Sequence, residues 1–307
     1  MANLKINFCN VSFANPFILP SGIITETTEY KRAINTGVGG ITFKSLTLKK
    51  REGNPLPRIW KLENGMLNSN GLRNPGIEKG SKEIRQFIKD YPKTPIIVSL
   101  FATKIKEFQY LIEKIEPLNP TFIELNLSCP NVEGEFGKPL GIEKEASGKI
   151  VKAAKKISGK TPILAKLSPN VSNISEIAKA CEAGGADGIV AINTIGPGMV
   201  IDINTKKPVL GAKTGGISGP CILPITVKCV YEIYESVNIP IIGMGGISKW
   251  QDVIEVMMAG ATLVGVGTVI YTKGLKIFEE LKKGLSSYME KNNLKTLNKI
   301  IGQAHKN

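Results

Sequence analysis

The chain has 307 residues, 42% of them hydrophobic and 21% charged, with a formal net charge of +14 from 40 Lys+Arg against 26 Asp+Glu. Its one histidine, His305, falls in what reads as a frayed C-terminal tail, which excludes a Ser-His-Asp triad and a His-rich metal site. Acid/base chemistry therefore has to come from Cys, Lys, Asp, Glu or Tyr.

In chain order, residues 3–14 alternate well enough for a short hairpin. The strand-like run Phe17–Pro20 is followed by a helical pattern over Thr28–Thr36. Gly40–Phe43 comes next, then a Gly/Pro/Asn-rich insertion at 49–72 and a helix over Gly76–Asp90. Pro95–Leu100 pairs with Ile105–Glu116, and Phe122–Leu127 with Lys144–Ile157 across a loop at 129–142. Pro162–Leu167 precedes Ile174–Ala183, and Gly188–Ile192 precedes Cys221–Ser236 across a long segment at 193–219. Pro240–Met244 with Ile247–Ala259, then Thr262–Val266 with Gly274–Glu290, complete the series. The tail from about Asn293 reads as one more surface helix.

Most of the strand runs are continuously apolar, as parallel strands buried on both faces must be. Eight βα pairs in order predict an α/β fold, a (β/α)8 TIM barrel over 1–307, with an N-terminal hairpin and long loops at the C-terminal face of the strands. The rival is a doubly wound open sheet, but Pro20-Ser21-Gly22-Ile23 after the first strand is not the GxGxxG that it would carry.

The cysteines at 9, 129, 181, 221 and 229 are odd in number and free of CxxC spacing, so the expectation is reduced thiols in a cytoplasmic protein without a protein-held metal. No apolar run has the ~20 residues of a membrane span, and Met1 to Asn10 lacks the apolar core of a signal peptide. Only five of the basic residues are arginine. Lysine spread along the whole chain reads as a solvated surface, with attraction of anionic ligands or an acidic partner second and nucleic-acid binding excluded.

Four constellations carry chemistry, all at strand C-termini, where barrel enzymes build their sites. Asn126-Leu127-Ser128-Cys129-Pro130-Asn131 delivers two amides and a thiol. The thiol can accept a proton where cations lower its pKa; the competing reading is a small buried hydrophobe. Lys44 and Lys166 end apolar strands, a costly place for a cation unless it meets an anion or snorkels to the rim. Gly243-Met244-Gly245-Gly246 and Gly265-Val266-Gly267-Thr268 form the glycine-rich ends where barrels hold phosphate, with Gly215 to Pro220 placed to close over the same ligand. Asn68, Asn126, Asn131 and Asn193 come from different strand ends and suit a polar planar ring, whereas Asn74 before Pro75 is a turn former. A phosphate-binding lyase or isomerase without flavin fits the glycine turns equally well.

At these residues the sequence resembles the dihydroorotate dehydrogenases. The resemblance runs from Asn15-Pro16 to about Lys273 and rests on Pro20-Ser21-Gly22, the Asn68-x-x-Gly71-Leu72 turn, the Asn126 to Asn131 segment, Lys166 to Asn170 and both glycine turns. Cys129 resembles the soluble class 1; the membrane-associated class is expected to carry Ser there and an N-terminal extension, which is not expected here. Phe136-Gly137, Lys166 to Val171, Asp202 to Leu210 and Gly215 to Pro220 look most like the catalytic subunit of the NAD-linked (1B) branch. Asn70 departs from the apolar residue more usual in relatives, and Gly196-Pro197-Gly198 is also less usual.

The resemblance implies FMN-dependent oxidation of (S)-dihydroorotate to orotate in pyrimidine biosynthesis. Cys129 would remove a proton from C5, with Lys44 as the other catalytic residue, while hydride leaves C6 for flavin N5. Implied cofactor-binding residues are Ser21, Gly22, Lys44, Ser45, Asn126, Lys166, Ile192, Gly219, Gly245, Gly246, Gly267 and Thr268. Implied substrate-binding residues are Lys44, Asn68, Asn70, Gly71, Leu72, Asn126, Asn131, Asn193 and Thr194. A homodimer, or a heterotetramer with a subunit carrying FAD and an iron–sulfur cluster, is the implied assembly. The alternatives are the fumarate-linked homodimeric form and a related flavin barrel acting on another dihydropyrimidine.

Overall fold

The computed structural model describes residues 2–128 and 143–306. An antiparallel hairpin of β1 (Ile6–Phe8) and β2 (Val11–Phe13) precedes β3 (Phe17–Leu19), α1 (Thr27–Asn35) and β4 (Gly40–Leu46). The insertion then forms a second hairpin, β5 (Ile59–Leu62) and β6 (Gly65–Asn68), before α2 (Ile77–Asp90). Three pairs follow: β7 (Ile96–Leu100) with α3 (Ile105–Ile115), β8 (Phe122–Asn126) with α4 (Lys144–Lys155), and β9 (Ile163–Lys166) with α5 (Ile174–Ala183). After β10 (Gly188–Ala191) come the short strands β11 (Ile195–Gly198), β12 (Ile201–Asp202), β13 (Lys207–Pro208) and β14 (Gly215–Ser218), then α6 (Leu223–Ser236). The chain finishes with β15 (Ile241–Met244), α7 (Trp250–Met258), β16 (Ala261–Gly265), α8 (Ile270–Lys273) and α9 (Ile277–Lys291).

β3, β4, β7, β8, β9, β10, β15 and β16 close in that order into one parallel barrel, so the eight expected strands are the eight barrel strands. Burial explains the agreement: β7, β8, β9, β10, β15 and β16 are buried at every residue. The surrounding helices carry the matching stripe. α2 buries Ile77, Gly80, Ile84 and Phe87, and α3 buries Phe108, Leu111, Ile112 and Ile115, each at three- and four-residue spacing.

The N-terminal hairpin plugs the end of the barrel opposite the loops. Phe8 and Phe13 pack on Phe122, at the start of β8, with ring centroids 5.7 and 6.2 Å apart. Gly188 opens β10 beneath this plug, where a Cβ would lie 2.9 Å from the Phe8 ring. At the other end, Tyr30 of α1 stacks on Phe43 at 4.5 Å, and its hydroxyl donates to the Ile24 carbonyl and accepts from the Lys44 N–H. Burial raises the Tyr30 pKa, so this bridge stays protonated and fixes the backbone that carries Lys44.

Two expectations are corrected. The insertions at 49–72 and 193–219 are not open loops: β11, β14, β6 and β5 pair in that order into a four-stranded sheet across the barrel mouth. Its strands are short and its central pairing joins segments about 150 residues apart, which local periodicity does not register. The less usual Gly196-Pro197-Gly198 stretch lies in β11 of this sheet.

The tail is not a helix and His305 is not frayed. Residues after α9 make 3-10 turns at Leu297–Lys299 and Gln303–His305, with Leu297 and Ile300 in the core. The His305 ring stacks on Tyr231 at 3.8 Å and hydrogen-bonds the Ala259 carbonyl at 3.1 Å. It lies between α6 and the end of α7, away from the residues lining the mouth, so its role is in packing.

Candidate active site

The C-terminal ends of the strands and the covering sheet enclose a cavity of about 310 Å³. It receives every described residue assigned to the site above: Ser21, Gly22, Lys44, Ser45, Asn68, Asn70, Gly71, Leu72, Asn126, Lys166, Ile192, Asn193, Thr194, Gly219, Gly245, Gly246, Gly267 and Thr268. Cys129, Asn131 and Phe136-Gly137 lie outside the described residues. The lining carries the cations Lys44, Arg51 and Lys166 and, among the described residues, no carboxylate. Such a cavity favours anionic ligands, because a negative group gains attraction from three cations and meets no carboxylate in the described lining.

Lys166 closes β9 in register with Asn126 of β8 and is only 4% exposed. Its ammonium donates to Ser21 Oγ at 3.3 Å. The Lys44 Nζ sits near Gly22, 3.7 Å from where a Cβ on that glycine would stand. Both lysines therefore point into the cavity and do not snorkel to the rim.

The amides are held by a continuous polar chain. Ser99 and Ser45 share a hydrogen bond at 2.8 Å, and Asn126 Nδ2 donates to Ser45 Oγ at 3.2 Å. Asn126 Oδ1 accepts from both the N–H and the hydroxyl of Ser128. Asn193 Nδ2 donates to Ser128 Oγ at 2.6 Å, and its Oδ1 accepts from Thr194 N–H at 2.8 Å. Asn170 extends the chain, donating to the Thr194 carbonyl and accepting from Gly196 N–H. These bonds set the amide orientations: Asn126 keeps one N–H donor, and Asn193 keeps one donor and one acceptor site. Asn68 is tied to the covering sheet through Gly216 O at 3.2 Å, which leaves its Oδ1 available. By contrast, Asn74 spends its amide on Thr47, Gly76 and Leu72, as its turn-forming position implied.

The glycine end has different chemistry. Among the described residues, the amides of Gly245, Gly246, Gly267 and Thr268 donate no backbone hydrogen bond, although Gly246 is buried. Unpaired buried N–H groups are rare unless a ligand meets them, and a phosphate has the oxygens to do so. Gly246 has φ +84°, and a Cβ there would stand 2.7 Å from the Leu223 backbone. Gly246→Ala is therefore expected to weaken binding of a phosphate-bearing ligand at least about tenfold, because the added Cβ meets the Leu223 backbone in a turn that only glycine permits. Titration of wild type and variant with inorganic phosphate measures this; unchanged affinity would remove Gly246 from the phosphate cradle.

Several lining residues escaped the sequence reading. Asn170 lay in a quoted motif without an assigned role, and its position two residues after Ser168 gave the only signal. Arg51 and Asn54 come from the insertion, whose fold the sequence did not reveal. Tyr271 reaches the mouth from α8 and donates to the Ile23 carbonyl at 3.2 Å. Three of the described thiols are unsuited to proton abstraction: burial first and foremost pushes Cys9 and Cys181 up to about 12 and Cys229 up to about 11. Cys221 is exposed, two residues before α6. No three His, Cys, Asp or Glu side chains cluster as metal ligands among the described residues, and no helix there is long and apolar enough to cross a membrane.

Comparison with known proteins matches residues 3–289 to the family model described as Dihydroorotate dehydrogenase. A relative from Pyrococcus abyssi (strain GE5 / Orsay), "Dihydroorotate dehydrogenase B (NAD(+)), catalytic subunit", is 41% identical over 304 residues, 99% of each chain. Proteins of the same name from Methanocaldococcus jannaschii and Brachyspira hyodysenteriae are 42% identical over 305 residues and 40% identical over 309. These alignments cover 98% of both chains in the first case, and 99% of this chain and 100% of the relative in the second.

Proposed function

Because the chain belongs to the dihydroorotate dehydrogenase family, we propose that it is the FMN-bearing catalytic subunit of an NAD-linked enzyme that oxidises (S)-dihydroorotate to orotate. The observation that carries this reading is the two-ended cavity: unpaired glycine amides at one end, and lysines with oriented asparagines at the other. The first end suits the FMN phosphate and the second suits a flavin ring stacked with a carboxylated pyrimidine.

Gly245, Gly246, Gly267 and Thr268 would hold the phosphate, with Gly219 closing over it. Ser21, Gly22, Ser45, Ile192 and Lys166 would hold the ring. Bound FMN supplies the acceptor for the hydride that leaves C6. Cys129 takes the proton from C5, so the C5–C6 double bond forms as one proton and one hydride depart. Asn68, Asn126, Asn131 and Asn193, with Thr194 and the Asn70-Gly71-Leu72 turn, orient the substrate ring and its carboxylate. Lys44 sets its cation against the carboxylate, and Lys166 offers its charge where negative charge develops on the ring. A partner subunit would carry the electrons on to NAD; the names of the relatives, which speak of a catalytic subunit and NAD(+), support that partner. Its FAD and iron–sulfur cluster, and a heterotetramer built on a dimer of this chain, are what the family resemblance implies.

The purified protein is expected to be yellow and to bleach when dihydroorotate is added without oxygen. A colourless protein that FMN cannot reconstitute would overturn the reading. Co-purification of an FAD/iron–sulfur protein that confers NAD reduction tests the subclass; fumarate reduction by the chain alone would move it to the other branch.

A further inference from the structure

Beneath the cavity lies a carboxylate that the scheme above does not use. Glu124 is the middle residue of β8, 1% exposed, two residues before Asn126 on the same inward face. It is paired across the barrel wall with Ser99 and Leu164. Its Oε1 accepts from Ser21 Oγ at 3.4 Å, and Ser21 Oγ in turn accepts from Lys166 Nζ at 3.3 Å.

The direction of this relay is unambiguous. An ammonium can only donate, an ionised carboxylate can only accept, and a hydroxyl has one proton. Ser21 therefore turns its proton to Glu124 and its lone pairs to Lys166. The two charges meet through the hydroxyl of Ser21, which itself lines the cavity, whereas Glu124 lies behind it. Burying both charges is expensive, and a spaced pair returns less than a direct ion pair, so packing alone gives little reason for the arrangement.

We propose that Glu124 is a positioning residue that, through Ser21, draws back part of the Lys166 charge and so sets the reduction potential of the flavin. This rests on the flavin reading above. With the carboxylate in place, the ring faces a partly compensated cation, and the negatively charged reduced form is favoured only moderately. Without it, Lys166 acts on the ring at full strength.

The test is a spectroelectrochemical titration of the FMN-loaded protein. Glu124→Gln keeps the shape and removes the charge. Its oxidised-to-reduced ratio at a fixed potential is expected to fall about tenfold, a rise of ~30 mV for a two-electron couple. Glu124→Asp keeps the charge and is expected to stay near the wild-type potential, which separates charge from packing. If Glu124→Gln does not fold, Ser21→Ala cuts the relay with both charges retained, and a smaller rise is expected. An unchanged or lowered potential in Glu124→Gln, or an unchanged one in Ser21→Ala, overturns the proposal. Wild-type protein that binds no FMN overturns instead the flavin reading, so the two failures are distinguishable.

Discussion

Cys129→Ser is expected to lower turnover with dihydroorotate by about 10²–10⁴-fold at neutral pH, while FMN stays bound. A hydroxyl holds its proton far more tightly than a thiol, so the variant has almost no base in its reactive form. The sign of the pH response follows. With Cys129 as the base, wild-type activity is expected to fall as pH drops, because a protonated thiol cannot take the C5 proton. The residual rate of the serine variant keeps climbing in alkali, above the pH where the wild-type rate levels off. Ser128, the residue before Cys129 in the chain, is anchored by Asn126 on one side and by Asn193 on the other. Steady-state rates across pH, with flavin absorbance as the control for binding, measure the effect. Near wild-type turnover at neutral pH would remove Cys129 from the role of base.

Lys166→Met is expected to slow anaerobic bleaching of the flavin by dihydroorotate about 10²–10³-fold, the scale of removing one group aimed at developing charge. Methionine matches the lysine stem in reach and volume, so the apolar contacts survive and the loss reports the charge. Thermal stability is expected to fall as well, because Glu124 stays buried, bonded to the Ser21 hydroxyl, without the lysine charge behind that hydroxyl. Stopped-flow absorbance gives the rate, and calorimetry the stability. A rate within about threefold of wild type would show that the cation has no part in the step.

The parts legible in the sequence share one property: each is written in a few adjacent residues. Apolar runs such as Pro162–Leu167 became buried strands within a residue or so of their expected ends. Asn126, Lys166 and the two glycine turns could be named because a parallel strand sends its C-terminus to the barrel mouth whatever surrounds it. Cys129 and Asn131 were named on the same grounds, and they fall outside the described residues. The parts that were missed depend on distant partners. His305 seemed loose because nothing near it in the chain shows Tyr231 or Ala259, which hold it. Glu124 passed as one letter in an apolar strand; only the closed barrel brings it under Ser21, 103 residues earlier.

The opening counts bear the same division. A net charge of +14 and a single histidine excluded histidine chemistry for the active site and suggested anionic ligands. They could not say which basic residues face a ligand. By itself the sequence determined the barrel, its strand ends and the residue types that reach the mouth, because burial and strand period are local patterns. The tertiary structure alone decided that Arg51 joins Lys44 and Lys166 in one cavity whose lining holds no acid among the described residues, that two insertions pair into a sheet over it, and that a buried carboxylate stands behind one of the lysines. Those outcomes follow from strand closure and non-local pairing, whose partners lie far apart along the chain.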